Sequence, residues 1–300
     1  MSSADSTPTT PGPALAGPGA PGVPDVPAAP RRKPRSVASG RLTAASGIGL
    51  GVGVLWLSLI VLLPIAAIVV TSFQNGPSAF WDSVSSDEAL STLKLTVGAA
   101  LLVTVLNGIL GTLIAWVLVR DQFPGKRVIE VIIDIPFALP TIVAGLVLIS
   151  LYGPQSPFGI DLVGTRKGVF LALLFVTLPF VVRSVQPVLI DMERDVEEAA
   201  ASLGASGFTT FRRIILPTIA PAILAGSALS FARALGEFGS VILISANLIG
   251  KTEVSSAYML KLIESDDTVG AAGVATILLI VAIIVLVILD SLQRVAARRD

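Results

Sequence analysis

The chain contains neither cysteine nor histidine. Their absence excludes disulfides, thiolate nucleophiles and Cys/His metal sites, and it removes the one side chain that titrates near neutrality as a proton relay. Carboxylates are the proton carriers that remain, and neither a metal nor a cofactor is expected. Charge is also scarce, at 14% of 300 residues, where a soluble domain carries about 25%. Lys and Arg match Asp and Glu at 21 each, so the net charge is zero and nothing favours nucleic acid as a partner. What the chain has instead is apolar surface: 53% of its residues are hydrophobic, which suits a bilayer.

A spanning helix needs about 20 mostly apolar residues to cross roughly 30 Å of hydrocarbon. Six stretches qualify: 48–71, 96–119, 129–152, 168–190, 218–246 and 271–289. The expected fold is an all-α membrane protein of six transmembrane helices, with both termini on one side. Pro136 and Pro140 predict a kinked or broken third helix, because proline lacks a backbone donor. In the long fifth stretch, Pro221, Gly236 and Gly239 are the places to bend or break. Residues 1–41 hold nine prolines among small residues, too little apolar surface to offset the entropy of ordering, so a disordered tail is expected. No short apolar core with a small-residue cleavage site lies near its start, so the tail is expected to be retained.

Fourteen of the 21 Lys and Arg lie in the tail, after the second span, in the segment 191–217 and at the C-terminal end, against five in the alternate loops. That bias places the segment 191–217 and both termini in the cytoplasm. Gly250-Lys251-Thr252 imitates the end of a phosphate-binding loop, but Ser245 stands where such a loop has its earlier glycine, so nucleotide binding is excluded.

The segment 191–217 is a polar hairpin between two apolar spans. From Asp191 to Leu203 it carries five acids against Arg194 alone and is rich in helix formers, which predicts a wet helix. Gly204 supplies the left-handed residue that ends it. A second short helix begins at Phe208 and is expected to stop at Pro217. Ala199, Ala200 and Ala201 keep one face narrow enough to enter a groove on another protein; from charge alone, a solvated loop is equally compatible. The spacing is more specific: Glu198-Ala199-Ala200, three residues, Gly204, nine residues, then Ile214-x-Leu216-Pro217. It resembles the EAA loop of ABC-importer permeases at each of these positions.

Ionisable residues inside spans are costly and face a partner or a water-filled path. They are Asp134, Arg183, Arg233 and Glu237, with Glu130 at the start of the third span. Asp134 reads either as part of a packing kink or as part of a broken helix aimed at an anion, and Arg183 as a side chain reaching the interface. Arg233 and Glu237 are four apart and share a helix face. They form either a self-satisfied ion pair or a site where Arg233 meets a passing anion while Glu237 holds it, with Ser227, Ser230 and Ser240 as donors. Gly236 and Gly239 are expected to let another helix approach. The run from Phe231 to Gly239 is similar to the stretch that follows the EAA loop in sulfate and molybdate permeases. Ser240 and Lys251-Thr252-Glu253-Val254 resemble the T-type sulfate permease more closely.

The resemblance covers roughly residues 45 to 295 and implies a type I ABC importer permease fold over 42–295, in the cytoplasmic membrane of a prokaryote. It implies a non-enzymatic subunit that carries sulfate, with acceptance of thiosulfate left open, and that works with an ABC ATPase dimer, a second related permease and an extracytoplasmic sulfate-binding protein. The rival within the family is molybdate or tungstate import. Outside it, the rivals are an ion-coupled secondary transporter using Asp134 or Glu237, and a membrane sensor or scaffold that holds a partner through the hairpin.

Overall fold

A computed structural model describes residues 44–297. The Pro-rich tail, 1–41, lies outside the described residues, as do Arg298 and Arg299. The chain divides into two units, 1–53 and 54–300. Of the first, the described part is the start of helix α1, Ala44–Leu57.

In the second unit all regular structure among the described residues is helical. A π-turn, Ser58–Leu62, leads into α2, Leu63–Ser72, which has Pro64 in its first turn. Then come α3, Gly76–Ser85, and α4, Asp87–Arg120. Ser86 caps α4 by accepting from the Ala89 amide at 3.2 Å, and Asp87, Glu88 and Arg120 place charges of the favourable sign at its two ends. Helices α5, Lys126–Ala138, and α6, Thr141–Tyr152, precede α7, Arg166–Asp191, whose cap is Thr165. After the hairpin, α10 runs Leu216–Leu235, α11 Gly239–Ile244, α12 Ser255–Glu264 and α13 Thr268–Ala297; α8 and α9 belong to the hairpin.

Among the described residues, five helical stretches are long and apolar enough to cross a membrane: 46–72, 87–120, 166–191, 207–235 and 268–297. The third expected span is the exception. It is broken at Leu139-Pro140 into α5 and the 12-residue α6, which is too short to cross alone. Proline forces its predecessor out of the helical region, and Leu139 is extended at φ −87°, ψ 137°. The fifth expected span ends early, at Leu235, with Gly236 as its C-cap. Pro221 is carried inside α10 without a break.

Helix α4 packs along α7, and α10 packs against both and against α13. Two apolar clusters result, one around Ala100, Val103, Leu173 and Phe231, the other around Leu118, Val181, Val185 and Ile219. Asn107 ties the three core helices together: its Nδ2 donates to Thr177 Oγ1 at 2.7 Å and to Ser230 Oγ at 3.3 Å, and all three residues are fully buried. Such an interhelical bond contributes about 0.6 kcal/mol on average within a membrane. The N-terminus of α12 is anchored by Thr96, whose hydroxyl accepts from the Ser255 amide at 2.8 Å.

Before α12, Glu253 is only 5% exposed and its Oε2 has no hydrogen-bond partner. Burial pushes its pKa above the usual 4.5, the charge of Lys261 pulls it down and that of Glu88, itself paired with Lys261, pushes it up. The carboxylate is therefore harder to ionise in the folded chain than in the unfolded one. Its contribution to stability is fully present below about pH 4.5 and is lost as pH rises through the raised value. Glu253→Gln is expected to flatten that loss and raise the thermal midpoint at pH 7, measured on the purified chain in detergent between pH 4 and 8.

Candidate functional site

The hairpin begins where α7 ends, at Asp191. Helix α8, Arg194–Ser202, is shorter than the expected 191–203 because Met192 and Glu193 turn the chain between the two helices. Its C-terminal end is a Schellman motif. Gly204 sits at φ +83°, its amide donates to Ala201 O at 2.9 Å, and the Ala205 amide donates to Ala200 O at 3.0 Å. No atom lies within 4 Å of where a Gly204 Cβ would stand, so backbone conformation and not space demands glycine there. Ser206 then caps the single turn α9, Gly207–Thr210.

Pro217 does not end the second helix. A π-turn, Phe211–Ile215, runs directly into α10 and the helix continues from 207 to 235. The same arrangement precedes Pro64, so both π-turns stand just before a Leu-Pro pair. The wider turn absorbs the missing proline donor and the crowding of its ring, and Thr218 Oγ1 donates to the Ile214 carbonyl at 2.8 Å.

Of the motif residues, Glu198, Ala199, Gly204 and Leu216 are exposed, Ile214 and Pro217 half-buried, and Ala200 buried. The hairpin also presents Leu203 at 89% exposure and Phe208 at 73%, one on each side of Gly204. Both side chains open to water on an otherwise polar hairpin. Sequence reading passed over both; the signal was two bulky apolar residues flanking the turn glycine.

The second group of residues lies where α10 breaks. Arg233 is in the last turn of α10 and Glu237 is just beyond Gly236. Their side chains pair, Nη1 to Oε2, at 2.6 Å, with 34% of the arginine side chain exposed and none of the glutamate. Glu237 Oε1 accepts from the Ser240 amide and from the Ser240 hydroxyl, each at 2.9 Å. Glu237 thus caps α11 while it holds Arg233. The expectation that Ser240 donates to a passing anion is corrected here: the residue is fully buried and its hydroxyl is committed to Glu237. Ser230 is likewise buried beneath Asn107. Gly239 fits against the first turn of α6, where an added Cβ would stand 2.8 Å from the Ile142 amide nitrogen, whereas nothing comes close to Gly236.

Arg183 does not simply reach the interface. Its guanidinium binds both oxygens of Asp134, from Nε at 2.8 Å and from Nη2, and donates to Gln186 Oε1 at 2.7 Å and Glu130 O at 3.3 Å. It fastens α5 to α7, across 49 residues of sequence. Arg183 therefore has four directed contacts, whereas Arg233 has one ion pair and an open face.

Residues 107–299 match the family described as binding-protein-dependent transport system inner membrane component. The chain belongs to this family. It is 45% identical over 254 residues to the sulfate transport system permease protein CysT of Synechocystis sp., covering 82% of this chain and 89% of that one. Proteins of the same name from Salmonella typhimurium and Escherichia coli are 39% and 37% identical, each over 88% of this chain and 98% of the relative. Among solved structures, a bacterial ABC transporter that imports the acidic polysaccharide alginate superposes with a TM-score of 0.69 at 16% identity, over 83% of this chain and 94% of that one. An inward-facing MetNI methionine ABC transporter gives 0.52 at 15% identity, over 71% and 99%. The fold is that of type I ABC importer permeases, and this family member is a membrane-spanning permease component.

Because Glu237 is the buried partner, Arg233→Gln is expected to cost more, about 2–3 kcal/mol, than Glu237→Gln at about 1 kcal/mol. The amide oxygen of the latter still caps α11, and the freed arginine reaches water. Thermal midpoints of the two variants in detergent test this order.

Proposed function

We propose that this chain is the membrane subunit of an ATP-driven sulfate importer. The observation that carries the reading is its 37–45% identity, over 82–88% of its length, to permeases named for sulfate transport. The hairpin geometry supports it. A short helix closed by Gly204, with Glu198 and Ala199 exposed and Leu203 and Phe208 open to water, suits a groove on a partner ATPase dimer. ATP is hydrolysed by that partner, since this chain offers no phosphate loop. The Lys and Arg bias supports a cytoplasmic hairpin and cytoplasmic termini.

In this mechanism ATP draws the ATPase subunits together, and the hairpin passes their motion through Glu198, Ala199, Ala200 and Gly204, with Ile214, Leu216 and Pro217 at its return, to the helices it joins. A second, related permease completes the path, and an extracytoplasmic sulfate-binding protein delivers the anion. Arg233 is the cation offered to it. Its guanidinium has donors beyond the one that meets Glu237, and an arginine fork fits the paired oxygens of a tetrahedral oxyanion. Glu237 fixes that side chain through α11, with Ser240 as its support.

The test is uptake of labelled sulfate into vesicles that hold this chain with its ATPase, second permease and binding protein. Uptake is expected to require ATP, to resist a tenfold excess of molybdate, and to fall at least tenfold in Gly204→Asp, which forces a side chain onto a left-handed backbone in the hairpin. Uptake without ATP removes the ABC reading, and strong molybdate competition reassigns the substrate.

A further inference from the structure

Arg120, the last residue of α4, is where three parts of the hairpin converge. Its Nη2 meets Glu197 Oε1 of α8 at 2.5 Å and donates to the carbonyl of Met192, in the link after α7, at 3.4 Å. In return Arg194 of α8 donates through Nη2 to the Arg120 carbonyl at 2.9 Å. The Arg120 guanidinium lies 5.8 Å from the ring centre of Trp116, one turn earlier on α4, and that ring meets Phe211 edge-on at 5.8 Å. Two directed contacts in opposite senses, with an aromatic contact beside them, hold α8 against α4 more firmly than either would alone.

Stability alone does not explain this residue. The Arg120 side chain is 10% exposed and its buried Nε has no acceptor, and a half-satisfied buried polar group is less stable than an apolar side chain of the same volume. What the arginine adds is direction. Its Nη2, shared between Glu197 and the Met192 carbonyl, sets the position of α8 against the end of α4, which an apolar contact would leave free to slide. Helix α4 is in turn pinned to α7 and α10 at Asn107.

We propose that Arg120, through Glu197 and Arg194, is the positioning residue that makes α8 and α4 move as one piece when the ATPase closes. Force on the hairpin then enters the core through α4 directly, in addition to the chain connections at α7 and α10. Glu197 serves this internal contact, while its exposed neighbour Glu198 is left to the partner. The inference rests on the reading of the hairpin as the ATPase contact.

The test uses the reconstituted importer with its partners. Arg120→Ala and Glu197→Gln are each expected to leave assembly intact and ATP hydrolysis at half of wild type or more, while sulfate taken up per ATP falls at least tenfold. The exchange of the two charges, Arg120→Glu with Glu197→Arg, should recover at least a third. Spin labels at Ser202 and Ile109 give a second measure. Their separation is expected to stay constant on ATP binding in the wild type and to change in Glu197→Gln, which leaves α4 itself unaltered. A constant uptake-to-ATP ratio, a parallel fall of uptake, hydrolysis and assembly, or a label distance that shifts in the wild type each overturns the proposal. If the wild-type complex takes up no sulfate, the substrate reading fails, and the label distances still decide the joint.

Discussion

Hydrocarbon offers no water to a backbone amide or carbonyl, so each interruption of a spanning helix has to be satisfied from within the protein. The described residues meet this demand in three ways. Before Pro64 and Pro217 the helix widens into a π-turn and continues. At Pro140 it stops, and α6 restarts against the glycine face of α11, where Gly239 lies close to the Ile142 amide. After Leu235 it stops again, and a carboxylate, Glu237, takes the place of water at the first turn of α11. The two complete breaks thus lie side by side, and it is there that a buried acid and a half-open arginine are found.

The same constraint separates the two arginines within the spans. A guanidinium has five donors in a fixed fork and keeps its charge at any ordinary pH. Arg183 is held by a carboxylate, an amide and a carbonyl, so it closes α5 onto α7 and has little left to offer a solute. Arg233 is held by one carboxylate oxygen. Pairing with a fully buried acid fixes its position without occupying its fork. In the proposed path, an anion at Arg233 would trade hydration for prepaid, oriented donors, and a net neutral pair would not trap it as a lone cation would.

The spans of α4, α7 and α13 were legible in hydropathy because apolar packing and lipid dominate them, whereas for α10 the apolar run showed a span but not its ends. Gly204 was legible because a left-handed residue at a helix end has a local cause. The fate of each proline was not. Pro136, Pro217 and Pro221 are carried inside helices while Pro140 breaks one, a difference that sequence spacing does not contain. Arg233 and Glu237 were visible as a pair four apart, but they bridge a helix end and do not share a continuous helix face. The contacts of Arg183 with Asp134 and of Arg120 with Glu197 cross 49 and 77 positions, beyond any periodic signal. Ser240 misled because a serine beside glycines looks free until the helix break turns it inward.

A lever needs stiffness at its joint more than strength. Helix α8 has nine residues, is joined to α7 by two linking residues, and ends at a glycine turn beside the exposed Leu203. By its own packing it would swing freely, since few buried contacts hold it and a helix so short is marginal alone. Motion delivered to such an element would be lost in bending unless some contact set its angle to the core. Apolar contacts resist separation but not rotation, whereas the Arg120–Glu197 ion pair and the hydrogen bond from Arg194 to the Arg120 carbonyl, running in opposite senses, resist both. In the proposed coupling this accounts for an arginine with an unsatisfied Nε at the end of α4: a well-packed leucine would favour stability, and the arginine would favour transmission.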